Sequence, residues 1–475
     1  MQYFIKAHTK QILIGILFGV ASIMRLIHAF SPSVLSWDGS VYVGMGKFLY
    51  SHGAVGLWEV FRPVGMPVLL GFAWKVGIDP YVFGIVIAIL SHLGIGWILY
   101  KMGEKIMPFA GLLAASVFLF SPIIFIYSNV PMSDIPSAFL ALAALAVASA
   151  AKNNRAYFFA GFLSALAFLF RFSQGLIVVA IAIVIIVQAC QSLTWTERLF
   201  KIVRHGAIYA LGFFVLVAPY FIAMYHFYGD PLIGLKEGNA IIKHFPTLYH
   251  KGTWFYLKNI YLLSPLLYFA LIPFGLLFTR VRKIVFAPVL WATLITFVIY
   301  IVYFSHEPHK EIRYAFAFVP YLALLAGAGI AFLWQKTKIS FTWVFVALLV
   351  IGVGIQIVQL NRVEAMSQIY REFYNYFADK PGAVLASATP VVANNDILMR
   401  YPLYDNWAYA EKVYMSEKNN FDYLVLDSCN LEIACSEDTQ CTLGKERLHA
   451  TLAMEAESVF SATSGRCQLE IYKTP

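Results

Sequence analysis

The sequence predicts an α-helical polytopic membrane protein, with about eleven transmembrane helices and a small extracytoplasmic α/β domain at its C-terminus. Three observations carry that expectation. The 475 residues are 60% hydrophobic and 13% charged, against about 25% charged in ordinary soluble domains, and the mean hydropathy is +0.70. Apolar stretches of membrane length recur as far as residue 360, and from residue 361 the composition turns abruptly to Asn, Asp, Glu and Ser. The formal net charge of +9 does not mark a nucleic-acid binder. Lys and Arg sit singly or in twos and threes at span ends, with no basic block interleaved with aromatics.

A span needs about 20 mainly apolar residues. On that basis spans are expected at 11–30, 81–100, 109–129, 135–151, 156–171, 174–191, 206–226, 259–279, 284–304, 314–334 and 341–360. The first, QILIGILFGVASIMRLIHAF, is long enough to remain in the membrane, and no small-residue cleavage site follows it cleanly. The fifth and sixth are short: fifteen residues at helical rise make about 22 Å, which suits a bent or partly spanning hairpin. A cytoplasmic N-terminus puts Lys6, Lys10, Lys101, Lys105, Lys152, Arg155, Arg198, Lys201, Arg204, Arg280, Arg282, Lys283, Lys336 and Lys338 in inner connections. That is the expected positive bias. Two domains follow: a membrane domain, 1–360, including the first outer loop 31–80, and an extracytoplasmic domain, 361–475.

The tail holds Cys429, Cys435, Cys441 and Cys467, and "FDYLVLDSC" alternates like a buried strand. The cysteine spacing lacks the short knuckle of a zinc site. An even count outside the cytoplasm predicts two disulfides, with three pairings open. Cys190, at the inner end of a span, reads as packing. The chain shows no internal repeat.

With this sidedness, polar residues from distant segments share the outer face. "SWDGSVYVGMGKFLY" supplies Asp38 and, one turn later, Tyr42; the same loop continues through "WEVFRPVGMPVLLGF" with Arg62. "SNVPMSDIPSAFL" puts Asp134 at the entrance of the fourth span, and "FRFSQG" puts Arg171 at an outer turn. "HEPHKEIRYAFAFVPY" crowds His306, Glu307, His309, Lys310, Glu311 and Arg313 between two apolar runs. Bland readings stand beside each. Asp134 or Asp38 caps a helix, Arg62 and Arg25 snorkel, and Arg171 alone is a structural hairpin residue. The 306–313 group resists that treatment, because a solvated loop needs no such density of charge. If it enters a helix, His309 and Arg313 share a face at i, i+4.

The order of these motifs resembles the GT-C superfamily of integral-membrane glycosyltransferases. The nearest group is the polyprenyl-phosphate-sugar transferases, which include protein mannosyltransferases and the aminoarabinose transferase of lipid A. "SDIP" opening the fourth span and "HKEIRYAFAFVPYLALLAG" carry most of the resemblance, "HKEIRY" being similar to the HKExRF-type motif of dolichol-phosphate-mannose-dependent mannosyltransferases. The resemblance implies a periplasmic or luminal site, a polyprenyl-phosphate sugar donor, an inverting transfer, and a lipid, glycan or protein hydroxyl acceptor. By it, Asp38 matches the first-loop acid that serves as base or acid-site carboxylate, and Asp134 the second catalytic acid, orienting the acceptor or sharing that task. Arg62, Lys310 and Arg313 match the cations on the donor phosphate, with His309 assisting. Gly39 stands where many relatives have a second acid, and the WWDxG signature of oligosaccharyltransferases is absent. A divalent cation is used by some members; the nearest group implies a metal-independent reaction. The competing class is a secondary transporter or translocase of polyprenyl-linked glycans, which would favour internal repeats and ionisable groups near the bilayer centre.

Overall fold

The computed structural model describes residues 7–30, 36–190, 194–244, 250–272, 288–337, 339–361, 367–387, 391–403, 406–432 and 439–475. Lys6, Arg280, Arg282, Lys283, Lys338 and Cys435 lie outside the described residues. The protein is a multi-pass helical membrane protein with a small C-terminal sheet domain. Six described helices are long and apolar enough to cross a bilayer: Thr9–Ala29, Pro80–Gly103, Phe172–Ala189, Trp195–Tyr228, Val289–His306 and Phe341–Leu360. Four shorter apolar helices join them: Ala110–Leu119, Asp134–Ser149, Asn154–Phe170 and Val319–Trp334.

The chain divides into two compact units. The first comprises Met1–Ser31, Val60–Gly65 and Ile85–Arg362. Along the chain as far as Tyr228 its helices are α1 (Ala7–Ala29), then α5 (Ala110–Leu119), α6 (Pro122–Tyr127), α7 (Asp134–Ser149), α8 (Asn154–Phe170), α9 (Leu176–Ala189) and α10 (Trp195–Tyr228). α2 (Trp37–Tyr50) and α3 (Gly65–Lys75) intervene after α1, and α4 (Pro80–Gly103) links the units. Every residue of α5 is buried. α8 and α10 pack backbone to backbone: a Cβ on Gly161 would lie 2.0 Å from the Tyr209 carbonyl, and one on Gly212 2.1 Å from that of Phe158. Small residues at such crossings let membrane helices gain close packing.

Two expected spans are interrupted. The stretch 109–129 breaks at Ser121, which is extended (φ −63°, ψ 125°) ahead of Pro122. Proline disfavours helix at the preceding residue and supplies no N–H. The stretch 259–279 breaks at Ser264, again extended ahead of a proline, and continues as a 3₁₀ turn, Pro265–Ala270. Its remainder lies outside the described residues. The breaks meet: Ser121 Oγ donates to the Leu263 carbonyl at 2.7 Å. Non-helical backbone at membrane depth needs such internal partners.

The second unit comprises Pro32–Glu59, Met66–Gly84 and Val363–Pro475. Most of the first outer segment thus packs with the tail. The tail sheet has strands β1 (Val384–Ser387), β2 (Leu398–Pro402), β3 (Tyr423–Asp427), β4 (Glu457–Ser464) and β5 (Cys467–Lys473), in the order β2-β1-β3-β5-β4. β1 pairs in parallel with β2 and β3, while β5 pairs antiparallel with β3 and β4. Leu424, Val425 and Leu426 are all buried because both faces are covered. Val425 joins Val41, Met45, Leu57 and Phe373 on one side. Leu424 and Leu426 join Trp407, Tyr414 and Leu448 on the other. Cys429 and Cys467 form a disulfide closing 38 residues, a loop that a chain-entropy treatment credits with about 4 kcal/mol. Cys441 is disulfide-bonded as well.

Asp427, at the end of β3, is 1% exposed. Burial pushes its carboxyl up to about 6, against hydrogen bonds from the Cys429 and Asn430 side and from Tyr370. His449 is raised by its hydrogen bond to Glu470, with burial opposing. Both folded-state values lie above the unfolded ones, so both groups favour the fold in mild acid and lose that contribution as pH rises through them. Thermal unfolding of the whole protein is expected to show the tail more stable at pH 5 than at pH 8, with Asp427 supplying roughly 1–2 kcal/mol. In Asp427→Asn the step should shrink to the His449 share; an unchanged step would contradict the assignment.

Candidate active site

α7 starts at Asp134, and Ser133 ahead of it makes no side-chain capping bond. The Asp134 carboxylate is turned to another element. Arg171 Nη1 donates to its Oδ1 at 2.5 Å, and Oδ2, buried, has no hydrogen-bond partner among the described residues. Capping therefore does not account for Asp134. Arg171 is able to reach it because the chain leaves α8 there in extended conformation (φ −158°, ψ 116°). Below the carboxylate, Ser137 Oγ donates to the Asp134 carbonyl at 2.9 Å. Gln174 Nε2 donates to Ser137 Oγ at 3.3 Å, and Tyr300 Oη to Gln174 Oε1 at 2.6 Å. These bonds fix the first turn of α7 to the turn that follows Arg171.

The 306–313 group forms the facing wall. His309 makes an antiparallel bridge with His250, and Lys251 N donates to the Pro308 carbonyl at 3.2 Å. The chain then enters a 3₁₀ turn, Ile312–Ala317. The expected helical i, i+4 pairing of His309 with Arg313 is thus replaced by a shared acid. Glu311 Oε1 lies 3.2 Å from His309 Nε2. It also accepts from Arg313 Nη2 at 2.9 Å, while Arg313 Nε is 2.7 Å from Oε2. Lys310 is 3% exposed. Its ammonium donates to the carbonyl of Lys251 at 3.0 Å and to that of Glu307. Burial lowers its pKa, with Glu307 opposing. Much of Lys310 is therefore committed to holding the loop.

The two walls meet at Tyr314. The Arg171 guanidinium lies 4.9 Å from its ring centroid and that of Arg313 5.7 Å, with the His309 ring 5.7 Å away. Tyr256, whose buried hydroxyl has no partner among the described residues, shares the electrostatic environment of Tyr314, Arg171 and Glu311. The structure thus brings together Asp134, Arg171, His309 and Arg313, with Lys310 behind them. Glu311, Tyr314 and Tyr256 complete the cluster. Arg62, half-buried, lies over the Phe61 ring at 5.5 Å. Asp38 and Tyr42 belong to the second unit. Asp38 stands in the first turn of α2, but Ser36 caps that helix, accepting from Gly39 N at 3.5 Å. Arg25 does not snorkel. It is 1% exposed, donating to His92 Nδ1 at 2.9 Å and to the Leu119 carbonyl at 2.8 Å over the Phe125 ring.

Two guanidinium groups against one ring, each neutralised by an acid, make a preorganised donor set for an oxyanion. Arginine matches phosphate oxygens bidentately. Asp134 Oδ1 and the Glu311 carboxylate are each engaged by an arginine. The metal-ligand residue types that gather among the described residues, Asp427, Cys429 and Cys467, offer no thiolate, because the two sulfurs are bonded to each other.

Residues 62–222, about a third of the chain, match the family model for dolichyl-phosphate-mannose-protein mannosyltransferase, a stretch that includes Arg62, Asp134 and Arg171. The chain is similar to ArnT from Cupriavidus metallidurans, solved bound to undecaprenyl phosphate, at 15% identity and a TM-score of 0.65 over 96% of this chain and 97% of that one. It shares the fold of that protein. The GT-C likeness extends to the oligosaccharyltransferase of Archaeoglobus fulgidus, at 13% identity and a TM-score of 0.57, over 90% of this chain and 70% of that one. No curated protein sequence matches the chain. The family match and the GT-C fold together support a membrane glycosyltransferase.

Proposed function

We propose that this protein transfers a sugar, mannose or a similar hexose or pentose, from a polyprenyl-phosphate donor to an acceptor hydroxyl at the outer face of the membrane, with inversion. The observation that carries this reading is the Arg171–Tyr314–Arg313 arrangement with its two neutralising acids. It suits a phosphate head whose isoprenoid tail remains in the bilayer. The fold of a protein solved with undecaprenyl phosphate supports the donor class. The Lys and Arg placement supports a cytoplasmic N-terminus, and the Cys429–Cys467 disulfide supports an oxidising compartment for the tail.

In this reading a carboxylate, which the motif resemblance assigns to Asp38, takes the acceptor proton as the hydroxyl oxygen bonds to the anomeric carbon. The bond from that carbon to the phosphate oxygen breaks, and polyprenyl phosphate leaves with the electron pair. Its growing charge is met by Arg171 and Arg313, donors that need no rearrangement at the moment of transfer. Arg62 and Lys310 add positive potential, His309 orients Glu311, and Asp134 holds Arg171. The test is release of polyprenyl phosphate from a polyprenyl-phosphate sugar by the purified protein in lipid. Release is expected to depend on acceptor and to be unchanged by a chelator. No release, together with solute uptake driven by a proton or sodium gradient, would replace this reading with transport.

A further inference from the structure

A second buried cation, outside the cluster just described, sits on the helix that carries Asp38. Lys47, near the end of α2, is 3% exposed, an unusual setting for a lysine. Its ammonium donates to the carbonyls of Val392 at 3.1 Å, Ala393 at 3.2 Å and Asn395 at 3.0 Å, and lies 3.1 Å from Asp396 Oδ1. All four acceptors belong to the C-terminal domain, more than 340 residues away in sequence. Asp396 in turn accepts from Trp74 Nε1 of α3 at 3.1 Å.

The backbone contacts around Lys47 are as close. A Cβ on Gly46 would lie 2.5 Å from Gly71 N, so α2 and α3 touch through their main chains. Gly56, at φ 95°, donates its N–H to the Ile397 carbonyl at 2.6 Å and accepts from Met399 N at 2.8 Å. The strand region after α2 is thereby added to the edge of β2. Leu57 N closes back on the Gly44 carbonyl at 3.2 Å. Val41, Met45 and Leu57 bury their side chains with Phe373, Leu385, Val392 and Met399.

We propose that Lys47 is a positioning residue for sugar transfer. It locks α2 to the C-terminal domain, so that Asp38, nine residues earlier on the same helix, is held by that domain. This rests on the reading of Asp38 as the base. An apolar residue at 47 leaves three buried carbonyls without their donor, which loosens the lock while leaving the donor-phosphate residues of the first unit unaltered.

The experiment pairs a distance with a rate. Spin labels at Leu49→Cys, on α2 and only partly buried, and Met415→Cys, in a Cys190→Ser background of the full-length protein, report the α2-to-domain separation by pulsed dipolar spectroscopy. The expected result is one narrow distance with Lys47 present and a broadened distribution in Lys47→Met. Turnover should fall roughly 10- to 100-fold with the affinity for polyprenyl phosphate unchanged. Asp396→Asn, whose side chain is half exposed, serves as a variant that folds, with a smaller change in the same two readouts. A narrow distance and normal turnover in both variants overturn the proposal. Broadening with normal turnover overturns the positioning role. Should the unaltered protein transfer no sugar, the glycosyltransferase reading fails, and the distances alone then decide whether Lys47 is the lock.

Discussion

Asp38→Asn is expected to lower turnover by 10²- to 10⁴-fold, the usual contribution of a positioned general base, or about 3–5 kcal/mol in the barrier. The affinity for polyprenyl phosphate should stay as it is. Asparagine keeps the size of the side chain, while it removes the charge and the ability to accept a proton. Capping of α2 belongs to Ser36, so the substitution leaves the helix start intact. The two readouts must therefore part: equal losses of binding and turnover would mean that Asp38 holds the donor, and no loss at all would remove it from the chemistry.

Arg171→Gln should have the largest combined effect. Asp134, 3% exposed, would keep its charge and lose the guanidinium that bonds it at 2.5 Å. Breaking one side of a buried ion pair costs about 3–5 kcal/mol. Transfer should fall by roughly 10²- to 10³-fold from the lost donor to the phosphate. The double variant Arg171→Gln with Asp134→Asn separates the two. Stability is expected to recover, because position 134 no longer carries an unpaired charge, while turnover stays low. Recovery of both would make the pair structural only.

The long spans were legible because twenty apolar residues leave little alternative in a bilayer. The interruptions at Ser121 and Ser264 were not read, although each serine precedes a proline, because hydropathy averages across a single break. At the candidate site the residue types were legible and the pairings were not. Asp134 and Arg171 are 37 residues apart, and nothing local in either motif announces the other. Glu311 was visible in "HKEIRY", yet its role as the acid shared by His309 and Arg313 depends on a 3₁₀ entry that the helical reading replaced. Lys47 lies in an apolar stretch, "VYVGMGKFLY", where a lysine reads as the polar side of a surface helix. Its acceptors are backbone carbonyls, which sequence does not mark. The same limit hid the attachment of the first outer segment to the tail.

The most direct measurement is the affinity of polyprenyl phosphate for the purified protein in nanodiscs, compared across Arg313→Gln, the Arg171→Gln/Asp134→Asn double variant and Asp38→Asn. Affinity is expected to fall at least tenfold in the first two and to stay unchanged in the third. Wild-type affinity in both arginine variants would contradict the assignment of the Arg171–Tyr314–Arg313 cluster to the donor phosphate.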